Sequence, residues 1–171
     1  MCGIVGYTGT GQAKDVLLEG LKRLEYRGYD SAGIAVFDGD KLNIVKRLGK
    51  VSELVDAVSS DQCSGTCGIG HTRWATHGAP SERNAHPHTS CADDIAVVHN
   101  GIIENFTELR EELIAKGHTF VSDTDTEVAA HLVEEGYNGN LLEAVRYAAS
   151  RLVGAYGLAV TCEQEPGTIV V

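Results

Sequence analysis

Three things are scarce in this 171-residue chain, and each scarcity excludes something. Positive charge is the first: 14 lysines and arginines stand against 24 acidic residues, a formal net charge of −10. Nucleic acid and anionic membrane surfaces both select clustered positive charge, so neither is expected as a partner. Apolar run length is the second. No span of about 18 apolar residues occurs and no basic segment leads into an apolar one at the start, so neither membrane insertion nor export is expected. Paired cysteine is the third. Cys2, Cys63, Cys67, Cys91 and Cys162 are odd in number and form no dense framework, which fits free thiols in a reducing cytoplasm better than disulfides. Internal repeats, low-complexity tracts and linkers are missing too.

What is present is ordinary for a globular protein: 43% hydrophobic and 22% charged residues, over a length typical of one domain and sufficient for a self-contained core. Residues 1–171 are therefore read as one domain. Residues 2–8 read as a buried strand. The spacing of Ala13, Leu17, Leu21 and Leu24 predicts a helix over 12–25. Strands are predicted at 32–37 and 42–48 around the turn DGD, and a short helix at 51–58. CGIGHTR (67–73) enters a long polar stretch, and DIAVVH (94–99) is a further buried strand. Helices follow at 106–116, with Asn105 as candidate N-cap and Gly117 past its end, near 126–135, and at 141–152 after Asn140. A strand is predicted at 155–162, and TIVV (168–171) reads as the start of another, with no successor in the chain. The domain is accordingly expected to be truncated at its C-terminus and to belong to something longer.

The chain opens MCGIVGYTG, with a cysteine directly after the initiator methionine. Removal of Met1 would expose an α-amine of pKa about 7.7–8.0 beside a thiol, a base suited to activating its own nucleophile. The plain alternative is a buried structural thiol packing as a small hydrophobe.

Other groups could serve such a nucleophile. HTRWATHGAPSERNAHPH (71–88) carries four of the seven histidines with an arginine and a tryptophan, and long polar loops between buried strands tend to carry function. Arg73, at the end of an apolar strand, suits a bidentate clamp on a small carboxylate, or else a surface ion pair. Asn100 and Gly101 offer an amide and a backbone N–H to an oxyanion, although from spacing alone an Asn-Gly turn is the simpler reading. Asp125 is by default a helix cap and otherwise a partner for a substrate ammonium. A zinc site on Cys63, Cys67 and Cys91 with His86 and His88 lacks the close cysteine pairs such sites use, so no metal and no cofactor is expected. A papain-like trio of Cys2, His99 and Asn100 fails because adjacent strand residues face opposite ways. Thiol, amine, oxyanion donors, carboxylate clamp and ammonium partner together are what hydrolysis of an amino-acid side-chain amide requires.

MCGIVGYTG, YRGYDSAG (26–33), HTRWATHG (71–78), NAHPH (84–88), VVHNGIIEN (97–105) and SDTDTEV (122–128), in that order, resemble the class II glutaminase domains of the glucosamine-6-phosphate synthase family. The resemblance extends from residue 2 to about residue 160. It implies an α+β fold: a four-layer αββα N-terminal-nucleophile (Ntn) hydrolase sandwich with two antiparallel sheets. It implies Cys2 as nucleophile, Asn100 and Gly101 as oxyanion hole, Arg73 and Asp125 on the carboxylate and ammonium of glutamine, and Arg27, Thr76, His77 and His86 ordering the site. Trp74 matches a residue gating ammonia passage, on a loop expected to close over glutamine. The same resemblance implies a C-terminal sugar-isomerase domain, absent from this chain, that binds fructose-6-phosphate, and a homo-oligomeric full-length enzyme.

Overall fold

The computed structural model describes residues 2–58, 63–75 and 78–171. Among these residues β1 (Gly3–Thr8), β2 (Ser31–Phe37), β3 (Leu42–Leu48) and β4 (Cys67–Arg73) form one antiparallel sheet in the order β1-β4-β2-β3. A second antiparallel sheet has the order β5-β6-β7, from β5 (His88–Thr89), β6 (Ile95–Ile103) and β7 (Gly154–Cys162). Helices α1 (Ala13–Leu24) and α2 (Val51–Ala57) cover the first sheet; α3 (Phe106–Ala115), α4 (Thr126–Gly136) and α5 (Leu141–Arg151) cover the second. The layer order is αββα, as expected.

Strand alternation builds these layers. In β2, Ala32, Ile34 and Val36 pack toward α1 and α2 with Leu17, Leu21 and Leu54, whereas Ala35 faces the other sheet. In β6, Ile95 and Val97 join the helical side with Leu132 and Val133, while Ala96 and Val98 meet Ile69 and Ala35 between the sheets. The predicted face of α1 is the observed one: Ala13, Leu17 and Leu21 are fully buried.

Four predicted elements differ. The strand expected to end at His99 continues to Ile103, because β7 pairs with it as far as Gly154; Asn100-Gly101 therefore lies inside a strand and is no turn. Gly101 makes this possible. Its φ is +132°, and a Cβ there would lie 2.3 Å from the carbonyl oxygen of Ala155. TIVV forms only a single bridge, Val170 to Val160, instead of a strand. Asn105 sits at the start of α3 but does not cap it: its side chain donates to Arg151 O at 2.9 Å and accepts from Val153 N at 3.0 Å, tying the β7 entrance to α3. The short strand β5 lies within the stretch read as loop. Asn140 does cap α5, accepting from Glu143 N at 3.1 Å. No described helix is long and apolar enough to cross a membrane.

Candidate active site

The two sheets meet at the start of β1, the end of β4 and the middle of β6, and there they enclose a cavity of about 450 Å³. Cys2, Arg27, Arg73, Trp74, Asn100, Gly101 and Asp125 all line it. That volume lies in the usual range for small-molecule sites. Thr76 and His77 lie outside the described residues.

Half-buried Cys2 stands just before β1, with its Sγ 3.2 Å from the backbone nitrogen of Trp74, which donates to it. That N–H is held in place from behind. Ala75 N donates to Asp30 Oδ2 at 2.6 Å and Asp30 N to Arg73 O at 3.1 Å, and Gly28 packs so close that a Cβ would lie 2.8 Å from the carbonyl carbon of Arg73. The glycine of YRGYD thus lets its turn lie flat against the strand end that faces the thiol. Trp74 itself is 45% exposed and meets Tyr29 edge-on at 5.4 Å.

Asn100 points at Cys2: its Nδ2 donates to Cys2 O at 3.2 Å. Its orientation comes from His71. His71 Nε2 lies 2.8 Å from Asn100 Oδ1 and 3.0 Å from His99 O, and because a backbone carbonyl only accepts, Nε2 carries the proton and donates to both. Burial drives the His71 pKa down to about 3, so the ring is neutral. Sequence reasoning missed His71. The available signal was that His71 and Arg73 share one face of a strand with period two, and Arg73 was already a candidate.

Arg73 is 4% exposed and donates to Gly78 O at 3.2 Å. Burial depresses its pKa, and the nearby Cys2, Asp30 and Asp125 act against that depression. Asp125 precedes α4 without capping it; its Oδ2 accepts from Ile103 N at 2.9 Å, joining the helix start to the end of β6. The default reading of Asp125 as a cap is therefore replaced by a carboxylate lining the cavity, opposite in charge to Arg73.

His86 lines the cavity, but both ring nitrogens are engaged within the protein. His99 N donates to His86 Nδ1 at 3.3 Å, so His86 Nε2 bears the proton and donates to Thr126 Oγ1 at 3.2 Å; Thr126 in turn donates to His99 Nδ1 at 2.9 Å. This closed circuit joins β6 to α4, with His86 stacked on His71 at 4.1 Å. Burial holds its pKa well below the usual histidine value. From sequence, His99 entered only the rejected papain-like trio, and Thr126 was not singled out. His99 and Asn100 serve different partners, in keeping with their opposite faces.

The cysteines weighed for zinc are not assembled: Cys63 contacts Asn43 O, Cys67 contacts Thr161, and Cys91 lies with His118 and His131. All five thiols are free.

Comparison with known proteins gives a consistent set of likenesses. A family model described as a glutamine amidotransferase domain matches residues 71–171. The glutamine–fructose-6-phosphate aminotransferase (isomerizing) of Thermus thermophilus is 61% identical over 163 residues, covering 95% of this chain and 27% of that protein. Its counterpart from Idiomarina loihiensis is 59% identical across the whole chain, again over 28% of its own length. The chain thus spans little more than a quarter of these curated relatives. Among solved structures, a glutamine phosphoribosylpyrophosphate amidotransferase from B. subtilis, complexed with ADP and GMP, superposes with a TM-score of 0.82 at 31% identity, over 95% of this chain and 35% of that one. A glutamine aminotransferase class-II domain protein from Silicibacter pomeroyi, 18% identical with a TM-score of 0.63 over 95% of this chain and 73% of its own, shares the fold.

Proposed function

This chain belongs to the glutamine amidotransferase domain family and has the Ntn αββα fold; from that premise we propose that it hydrolyses the side-chain amide of glutamine through a thioester on Cys2. The carrying observation is convergence: the Cys2 thiol, the Asn100 amide, the Arg73 guanidinium and the Asp125 carboxylate line one cavity.

In this reading Met1 is removed and the α-amine of Cys2 takes the thiol proton, directly or through one water. The thiolate attacks the glutamine side-chain carbonyl carbon, and the developing oxyanion is held by Asn100 Nδ2 and the Gly101 N–H. The C–N bond then breaks, the α-ammonium protonates the departing ammonia, and water releases glutamate from the thioester. Arg73 clamps the α-carboxylate and Asp125 the α-ammonium, which would place opposite charges at the two ends of an amino acid's backbone. Arg27 and His86 support the site's walls, Thr76 and His77 the loop after Trp74. Trp74 gates ammonia leaving the cavity as that loop closes over glutamine.

Residues 1–171 would be the glutaminase part of a longer cytoplasmic enzyme. In that enzyme ammonia would pass to a C-terminal sugar-isomerase domain and convert fructose-6-phosphate to glucosamine-6-phosphate, within a homo-oligomer. The identities of 61% and 59% to proteins named for that reaction support this reading. Glutamate release from glutamine, assayed for the chain and for its acetyl-capped form, tests the proposal. Activity confined to the free-amine form supports it, and equal activity in both removes the α-amine as base.

A further inference from the structure

We propose that Cys91, His118, His131 and Glu134 form a structural site for a divalent transition metal, zinc being the ion that suits the donor set. The cluster lies away from the cavity. Thr126 opens α4 beside the catalytic residues, and Glu134 stands in its last turns, about 12 Å further along at 1.5 Å per residue. His131 and Glu134, at i and i+3, share one helix face. Cys91 comes from the turn joining β5 to β6, and His118 from the connection between α3 and α4.

The spacing of the donor atoms is that of a coordination shell. One atom from each residue lies within 4.8 Å of all the others. Cys91 Sγ is 3.6 Å from His118 Nδ1 and 3.6 Å from His131 Nδ1. Glu134 Oε2 is 3.0 Å from His118 Nδ1 and 3.2 Å from His131 Nδ1. A tetrahedral zinc ion with bonds of about 2.3 Å to sulfur and about 2.0–2.1 Å to nitrogen and oxygen sets its ligands about 3.6 Å apart from S to N and about 3.3 Å apart from N to O. Four of the six edges of the cluster already lie near those values, and the other two are bounded by 4.8 Å.

The outer atoms agree. Both imidazoles turn Nδ1 inward and present Nε2 to a carboxylate: His131 Nε2 is 3.8 Å from Glu127 Oε1, and His118 Nε2 is 3.7 Å from Glu135 Oε1. Metal-bound histidines characteristically turn their second nitrogen toward a carboxylate; here the carboxylates stand on that side of both rings, although farther than hydrogen-bond distance. Cys91 N also donates to Glu134, 3.1 Å from Oε1 and 3.2 Å from Oε2, holding the cysteine's backbone against the same carboxylate. A thiolate and a carboxylate together offset the ion's double charge.

With four protein donors and no position left open, the ion's role is structural. It ties the β5–β6 turn and the α3–α4 connection to α4, the helix whose other end carries Asp125 and Thr126. From sequence, only Cys91 of these ligands entered the zinc reading; the other three come from segments 27–43 residues further on and form no compact motif.

The test is metal content and cobalt spectroscopy on the whole chain, purified without a polyhistidine tag. About one zinc per chain should survive dialysis, consistent with a closed four-ligand site. Cobalt added to metal-free protein should give tetrahedral ligand-field bands with a thiolate charge-transfer band, and zinc should raise the thermal midpoint. Cys91→Ser should abolish the charge-transfer band, and His118→Ala should weaken zinc binding by at least about 100-fold, the upper end of the cost of losing even an outer partner. Cys2→Ala should bind metal like the parent. If Cys91→Ser fails to fold, the parent's cobalt spectrum and the partly exposed His118→Ala variant decide the matter. No retained zinc and no zinc-dependent thermal shift in the parent would overturn the site, leaving a metal-free cluster held by its hydrogen bonds to Glu134. Unchanged binding in His118→Ala would overturn it too.

Discussion

The two ends of α4 treat a thiol in opposite ways. At the N-terminal end, Cys2 faces a cavity and receives an N–H from Trp74, with the Asn100 amide on its own carbonyl. At the C-terminal end, Cys91 is met by two imidazole nitrogens and a carboxylate oxygen that converge on one point. A nucleophile needs room for a substrate and donors to receive negative charge; a ligand needs neighbouring lone pairs at coordination spacing and no room. The same residue type is assigned different chemistry by what surrounds it.

That contrast breaks most visibly at the nucleophile. Cys2→Ala should lower glutamine turnover by at least about 10⁴-fold, as loss of a covalent nucleophile does, whereas Cys91→Ser protein with the parent's circular dichroism spectrum stays active in the same assay at 25 °C. A folded Cys91→Ser variant as inactive as Cys2→Ala would collapse the distinction. Asn100→Ala comes next: turnover should fall by about 10²–10³-fold with the fold retained, measured as kcat beside a circular dichroism spectrum.

The positioning of Asn100 sharpens the comparison further. His71→Leu should reduce kcat about tenfold with little change in KM, because the amide loses its orienting donor and the carboxylate and ammonium partners are untouched. Joined to Asn100→Ala it should add almost nothing, since both changes remove one interaction. Full additivity would separate His71 from the oxyanion site.

The same histidine makes a last prediction, one of stability. Its pKa is about 3 in the folded chain, for reasons of burial first, against 6.5 ordinarily. Between those values the unfolded chain binds the extra proton, so stability rises with pH; it is fully present above 6.5 and is lost as pH falls toward 3. One such group contributes a slope of up to about 1.4 kcal/mol per pH unit. Urea midpoints across that window should show a flatter slope for His71→Gln, and an unchanged slope would refute the assignment.

Much of this was legible in the sequence, and the reasons are local. Ala13, Leu17 and Leu21 announced α1 because helical period alone fixes a buried face, and Asn140 announced the start of α5 because its cap bond spans only three residues. Cys2, Arg73, Asn100 and Asp125 were identifiable as chemistry-bearing residues, and the structure brings them to one cavity. What escaped was whatever depends on distant partners. Asn100-Gly101 reads as a turn until β7 is seen to pair with it, and Asn105 reads as a cap until its side chain is found between Arg151 and Val153. The roles of His71, His99 and Thr126 arise from hydrogen bonds across 27–29 residues, which no local pattern records.

The central claim is that Cys2, as the first residue of the mature chain, is the nucleophile. It is tested most directly by intact mass and peptide mapping before and after exposure to a glutamine-like diazoketone. A chain beginning at Cys2 and a single adduct on that residue are expected, the adduct blocked by excess glutamine and absent from Cys2→Ala. An adduct on Cys91, or equally rapid labelling of a chain that still carries Met1, would contradict it.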